Sequence, residues 1–206
     1  VDVSDIEVAD MNGDGLPDIV MVVKSTGVVR TILNPGTPGV PSSVGASALA
    51  WSSSAVTTDL RPHSAPRQVE VKDLNKDGYL DTIIGTSAGV AIYMGSATST
   101  SSARRLQTAS AILLGIAASV PPLDVQDLEV VDANGDGWLD IVCSYDPAVY
   151  PAASSPHHRR IFYGSNHIEG RFWVAASGLQ LGPAGEAEWD VESMDFIDLN
   201  ADGEHP

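Results

Sequence analysis

The chain has one cysteine, Cys143, among 206 residues, so no intrachain disulfide can staple it. Basic residues are also scarce: 11 Lys and Arg stand against 27 Asp and Glu, a net charge of −16. Phosphate binding needs a basic surface, so nucleic acid is excluded as an expected partner. No apolar run is long enough to cross a bilayer; the longest, Ala109 to Val120, is short and holds serine. The sequence opens on Val1 with no signal-type leader, so a processed chain or a piece of a longer one is expected. No nucleophile elbow, phosphate loop or histidine-rich metal motif occurs, and catalysis is not expected.

What is present is turn-forming and strand-forming material. Hydrophobic residues make up 43% and charged residues 18%, a globular balance, with 19 Gly and 13 Pro. Helical periodicity is weak, and the composition favours short strands joined by turns.

The dominant feature is an internal repeat. Four segments align without gaps: IEVADMNGDGLPDIV from Ile6, VEVKDLNKDGYLDTI from Val69, LEVVDANGDGWLDIV from Leu128 and MDFIDLNADGEHP from Met194. Their first aspartates are Asp10, Asp73, Asp132 and Asp198, about sixty residues apart. Apolar residues stand four and two positions ahead of each: Ile6 and Val8, Val69 and Val71, Leu128 and Val130, Met194 and Phe196. That period of two predicts a strand with one buried face entering each loop. An acid lies between them on the opposite face, Glu7, Glu70, Glu129 and Asp195, where a solvated position is expected, the alternative being a contact behind the metal ligands or between strands.

Three further strand-like segments follow each complete loop. The first are DIVMVV, DTIIGT and DIVCSY; then come VVRTIL after Gly27, VAIYMG after Ser87 to Gly89, and IFYGS after His157 to Arg160. A less regular fourth piece, such as Ala109 to Ala117 or Phe172 to Ala176, completes the unit. The expected fold is all-β: three four-stranded β-propeller blades, near 1–63, 64–122 and 123–188, and the first strand of a fourth at 189–206. Four blades is about the smallest ring, so these residues are expected to form part of a larger one.

The loops carry the chemistry. Calcium takes six to eight oxygens. Side-chain oxygens stand at positions 1, 3 and 5: Asp10, Asn12 and Asp14; Asp73, Asn75 and Asp77; Asp132, Asn134 and Asp136. Glycine at position 6 permits a sharp turn. Position 7, which is Leu16, Tyr79 or Trp138, can offer its backbone carbonyl, and position 9, Asp18, Asp81 or Asp140, closes the set with a carboxylate. Each loop thus gathers three carboxylates that repel without a cation, and Ca2+ is the expected ion at three sites. Magnesium fits less well, since it demands octahedral geometry and keeps its water. The fourth copy has Asp198, Asn200 and Asp202 but Pro206 at position 9, so it lacks one carboxylate. An EF-hand is excluded: its twelfth position is Glu, here Met21, Ile84 and Cys143, and its flanks are helices.

These residues resemble the FG-GAP/VCBS repeats of integrin α-subunit propellers and of many secreted proteins. The D-x-N-x-D-G-x-x-D-[IV] core matches, and IYMGS and IFYGS resemble that repeat's Gly-Ser strand end. The resemblance implies a β-propeller of about seven blades with calcium at the blade hairpins. It also implies an extracellular or cell-surface scaffold for adhesion, matrix or filament assembly, partnered by protein or glycan or by self-assembly. One alternative is a carbohydrate-binding propeller, stacking sugars on Trp51, Trp138, Trp173, Trp189, Tyr145 or Tyr150; another is a propeller appended to a secreted enzyme. His63 and the His157-His158-Arg159-Arg160 cluster read as loop residues, and Cys143 as a small buried hydrophobe.

Overall fold

A computed structural model describes residues 2–34, 57–62, 64–96, 112–114, 124–145, 159–164 and 173–174. They hold twelve strands and no helix, in three four-stranded antiparallel sheets. The first sheet is β1 (Val3–Ala9), β2 (Asp18–Val23), β3 (Val28–Ile32) and β4 (Thr57–Leu60); the second is β5 (Pro66–Lys72), β6 (Asp81–Thr86), β7 (Gly89–Tyr93) and β8 (Ile112–Leu114). The third is β9 (Val125–Val131), β10 (Asp140–Tyr145), β11 (Arg159–Tyr163) and β12 (Trp173–Val174). In each sheet the strands lie in chain order, the meander of a propeller blade.

The register explains the spacing of apolar residues. In the first sheet Glu7 lies opposite Val20 and Ile6 opposite Met21, so the two faces of β1 alternate. Val20, Val22 and Val29 on one face of the first sheet form a core with Val69, Val71 and Ile84 of the second. The reverse face of the second sheet, with Ile83, Val90 and Ile92, forms the next core with Leu128, Val130 and Ile141 of the third. A middle sheet packed on both sides needs apolar residues at successive positions, which is why β6 reads DTIIGT and is buried along its whole length. Each Val or Ile so buried stabilises the stack by about 1.5–3 kcal/mol relative to an exposed side chain. Gly85 permits the close approach of the third sheet: a Cβ there would stand 2.8 Å from Val125 Cγ1.

The apolar pair that enters each loop is expected to be buried, and two of the three are. Val69 and Val71 are 1% and 5% exposed and Leu128 and Val130 are 3% and 6%, but Ile6 and Val8 are 53% and 61% exposed. The difference is positional, because these pairs pack against the preceding sheet and no sheet precedes β1 among the described residues.

For Glu70 the expectation of a solvated face is corrected in favour of the alternative between strands, since its carboxyl interacts with Glu7 of β1 and Glu129 of β9. Glu70 lies opposite Ile83, on the face turned toward the third sheet, and its side chain is 13% exposed. It sits 3.5 Å from Lys72 Nζ. Burial pushes its carboxyl up to about 7; Lys72 opposes the shift, while Glu7 and Glu129 reinforce it. Asp195 lies outside the described residues.

The first strands of the sheets lie side by side. Each carries a register shift at the same place, with Ser4, Arg67 and Gln126 as the extra residues. The shifted residues supply links between sheets. Ser4 Oγ donates to the Arg67 carbonyl at 2.8 Å, and Arg67 forms a two-pronged ion pair with Asp124 at 2.6 and 2.7 Å. One position on, Gln68 Nε2 donates to Asp127 at 3.1 Å.

Candidate metal centres at the hairpin loops

The three complete loops link the first and second strands of the three sheets, so each occupies the same place in its unit. Their internal bonding repeats as well. The first aspartate accepts backbone amides from across the turn: Asp10 takes Gly13 and Asp14 on Oδ1 and Gly15 on Oδ2, at 2.7 to 3.0 Å. Asp73 takes Asp77 and Gly78, and Asp132 takes Asp136 and Gly137. The asparagine at position 3 accepts the amide two residues on and donates to the carboxylate at position 5: Asn12 with Asp14, Asn75 with Asp77, Asn134 with Asp136. That carboxylate in turn accepts the amide at position 7, from Leu16, Tyr79 or Trp138. Short polar side chains close such turns on their own backbone, which is why Asp and Asn alternate here. Gly15, Gly78 and Gly137 have φ of 83°, 85° and 85°, a conformation that strains any residue with a Cβ.

Position 9 behaves differently. Asp18, Asp81 and Asp140 are fully buried at 0% exposure. One oxygen of each accepts the amide at position 2 of its own loop: Met11 and Leu74 at 2.8 Å, Ala133 at 3.1 Å. The other accepts an amide just beyond the third strand, from Asn34, Gly95 or Gly164, each at 2.7 Å. The carboxylate therefore clamps the loop to the third strand's exit. Burial raises the pKa of all three, Asp81 to about 6. The amide bonds oppose this, and the carboxylates at positions 1 and 5 add to it.

The clamp also explains the glycine of the IYMGS and IFYGS segments. A Cβ on Gly95 would stand 2.5 Å from the Leu80 carbonyl oxygen and 2.8 Å from Tyr79 Cβ, and one on Gly164 would collide with the Leu139 carbonyl. This second partner of position 9 escapes the loop motif because it lies 14 to 24 residues downstream. The signal that could have found it is the glycine closing the third strand of the second and third units.

As donors the loops offer oxygen alone: three carboxylates, one side-chain amide and one backbone carbonyl each. A hard divalent cation fits that chemistry, and calcium fits it better than magnesium. In this arrangement the carboxylates face the loops' own amides. Among the described residues no group of three or more His, Cys, Asp or Glu side chains is gathered into a set that could hold an ion. Each carboxylate oxygen of Asp18, Asp81 and Asp140 is shown with a single amide donor and retains acceptor capacity. Asp198, Asn200 and Asp202 of the fourth loop lie outside the described residues.

Two loops touch. Lys76, at position 4 of the second loop, donates from Nζ to the Gly137 carbonyl of the third. Its ammonium lies 4.3 Å from the centre of the Trp138 ring. Positions 4 of the first and third loops are Gly13 and Gly135, both at φ 72°, whereas Lys76 takes φ 59° with a side chain.

Of the other residues singled out in the sequence, Tyr145 is 3% exposed and accepts a hydrogen bond from the buried Cys143 thiol at 3.3 Å. A sugar could not stack on it there. Trp51, Tyr150, Trp189, His63, His157 and His158 lie outside the described residues, as do the side chains of Arg159, Arg160 and Trp173. No helix among the described residues is long and apolar enough to cross a membrane.

No curated protein matches the chain. Residues 73–143, which span the second loop, β6 to β9, the third loop and β10 as far as Cys143, match the family model of the FG-GAP-like repeat. The matched stretch resembles an FG-GAP-like repeat, and the first sheet and its loop, outside that stretch, share its topology and bonding pattern.

Proposed function

We propose that the chain is a calcium-stabilised β-propeller scaffold of the extracellular space or cell surface, serving adhesion, matrix or filament assembly without catalysis. The observation that carries this reading is the recurrence of one all-oxygen loop at one hairpin of three successive sheets. In such a loop Asp10, Asn12, Asp14, the Leu16 carbonyl and Asp18 would hold the ion, and the corresponding residues of the second and third loops would hold theirs. The ion would offset two of each loop's three negative charges and fix the hairpin to its blade. The open apolar pair Ile6 and Val8 supports a ring with further blades, since the equivalent pairs of the other two sheets are covered.

Calorimetry of the full-length protein with and without EGTA tests the reading. A ligand held at a hundred times its Kd adds about 2.7 kcal/mol per site, so chelation should lower Tm by many degrees. An unchanged Tm overturns structural calcium.

A further inference from the structure

We infer that Lys76 is a built-in positive charge that sets the third loop apart, weakening its hold on divalent cations and tying it to the second loop. The inference rests on the calcium reading of the loops.

Three observations converge on this residue. It occupies a backbone conformation given to glycine in both sister loops, so a side chain is tolerated where none is favoured. Lys76 is exposed, yet its side chain crosses to the third loop and donates to the Gly137 carbonyl. The charge is further held over the ring of Trp138, whose own carbonyl is the position 7 donor of that loop. A non-glycine residue in a strained turn whose side chain makes two specific contacts with a neighbour points to a role at the neighbour. The first loop has no counterpart, because its position 4 is Gly13.

The consequence is electrostatic. An ammonium beside the third loop repels an incoming cation and partly neutralises that loop's carboxylates when no cation is there. A unit charge roughly 6 Å from a divalent ion in water lowers affinity by about tenfold. The loops therefore do not fill together: the third fills after the first, and its occupancy competes with the bridge from the second.

Position 7 supplies the readout, because Trp138 can sensitise terbium bound in the third loop. The full chain is titrated with Tb3+ under tryptophan excitation, with Trp138→Phe identifying the signal that belongs to this loop. Lys76→Met keeps the alkyl stem without the charge, Lys76→Gly restores the sister residue, and Lys76→Arg keeps the charge. In a Trp138→Phe background, Leu16→Trp reports the first loop. The expected result, for the trivalent probe, is a Trp138-dependent midpoint about thirtyfold lower in Lys76→Met and Lys76→Gly than in the parent, unchanged in Lys76→Arg, with the first loop indifferent to all three. Equal midpoints in parent, Lys76→Met and Lys76→Gly overturn the inference and leave the calcium reading standing. Emission from neither the Trp138 nor the Leu16→Trp site overturns both.

Discussion

Asp5, on the first strand of the first sheet, accepts the backbone amide of Val69, on the first strand of the second, at 2.7 Å. Both strands are edges of their sheets, and an edge strand exposes amides that seek a partner. One carboxylate oxygen meets that need and fixes the height at which one sheet sits on the next. Asp5→Ala strands the Val69 amide beside a packed core. The expected loss is about 1–2 kcal/mol, seen as a lower urea midpoint with unchanged slope. A midpoint equal to the parent's would mean that water replaces the carboxylate at no cost.

Asp81 separates clamp from ligand. Both its oxygens are held by amides, those of Leu74 and Gly95. Asn in its place turns one acceptor into a donor that faces an N–H. Asp81→Asn should therefore cost about 2–3 kcal/mol even in excess EGTA. If the variant is destabilised only when calcium is present, the clamp contributes nothing and position 9 acts through the ion alone.

Gly95→Ala tests the same junction from the other side. The added methyl meets the Leu80 carbonyl and Tyr79 Cβ, both fixed by the loop, so no flexible side-chain end can yield. Thermal unfolding should show a loss of about 2 kcal/mol or more. Gly15→Ala is the contrasting case, with nothing within 4 Å of its Cβ but φ of 83°; it should lose only about 1 kcal/mol, from backbone strain.

Glu70 gives a pH dependence. Its folded pKa is raised, to about 7 from 4.5, so the folded chain binds its proton more tightly than the unfolded chain does. Below the unfolded value both states are protonated and the group is neutral to stability. As pH rises from 4.5 to about 7 stability falls, and above that window the full cost of a largely buried carboxylate is present. Glu70→Gln should raise stability near pH 8 by about 1 kcal/mol, allowing for solvent screening and the lost Lys72 contact, and leave it unchanged near pH 4. A gain of the same size at both pH values would rule out this titration as the source.

The sequence makes the strands legible because their signals are local. The alternation at Val69 and Val71 or Leu128 and Val130, and the unbroken apolar run of β6, follow from period and burial alone. The loops are legible for the same reason, since Asp73 to Asp81 close on their own backbone. What it hides depends on distance along the chain or on neighbours. The exposure of Ile6 and Val8 depends on which sheet stands in front, a fact that their own alternation does not contain. The burial of Glu70 follows from the register with Ile83 and from the third sheet packed over that face. The contact of Lys76 with Trp138 spans 62 residues and depends on how adjacent hairpins are staggered, which no spacing within either loop encodes.

Among the described residues every sheet is a meander whose strands pair only with their chain neighbours, so none of these strands is borrowed from another unit. The joint between units is made of interchangeable parts: Val69 with Val71 and Leu128 with Val130 fill the same kind of seat. A duplication or deletion of about sixty residues, in phase, would preserve both sides of every joint. Point mutation can only adjust such a stack, whereas unequal recombination can lengthen or shorten it in whole units, so size is expected to vary among relatives in steps of one sheet.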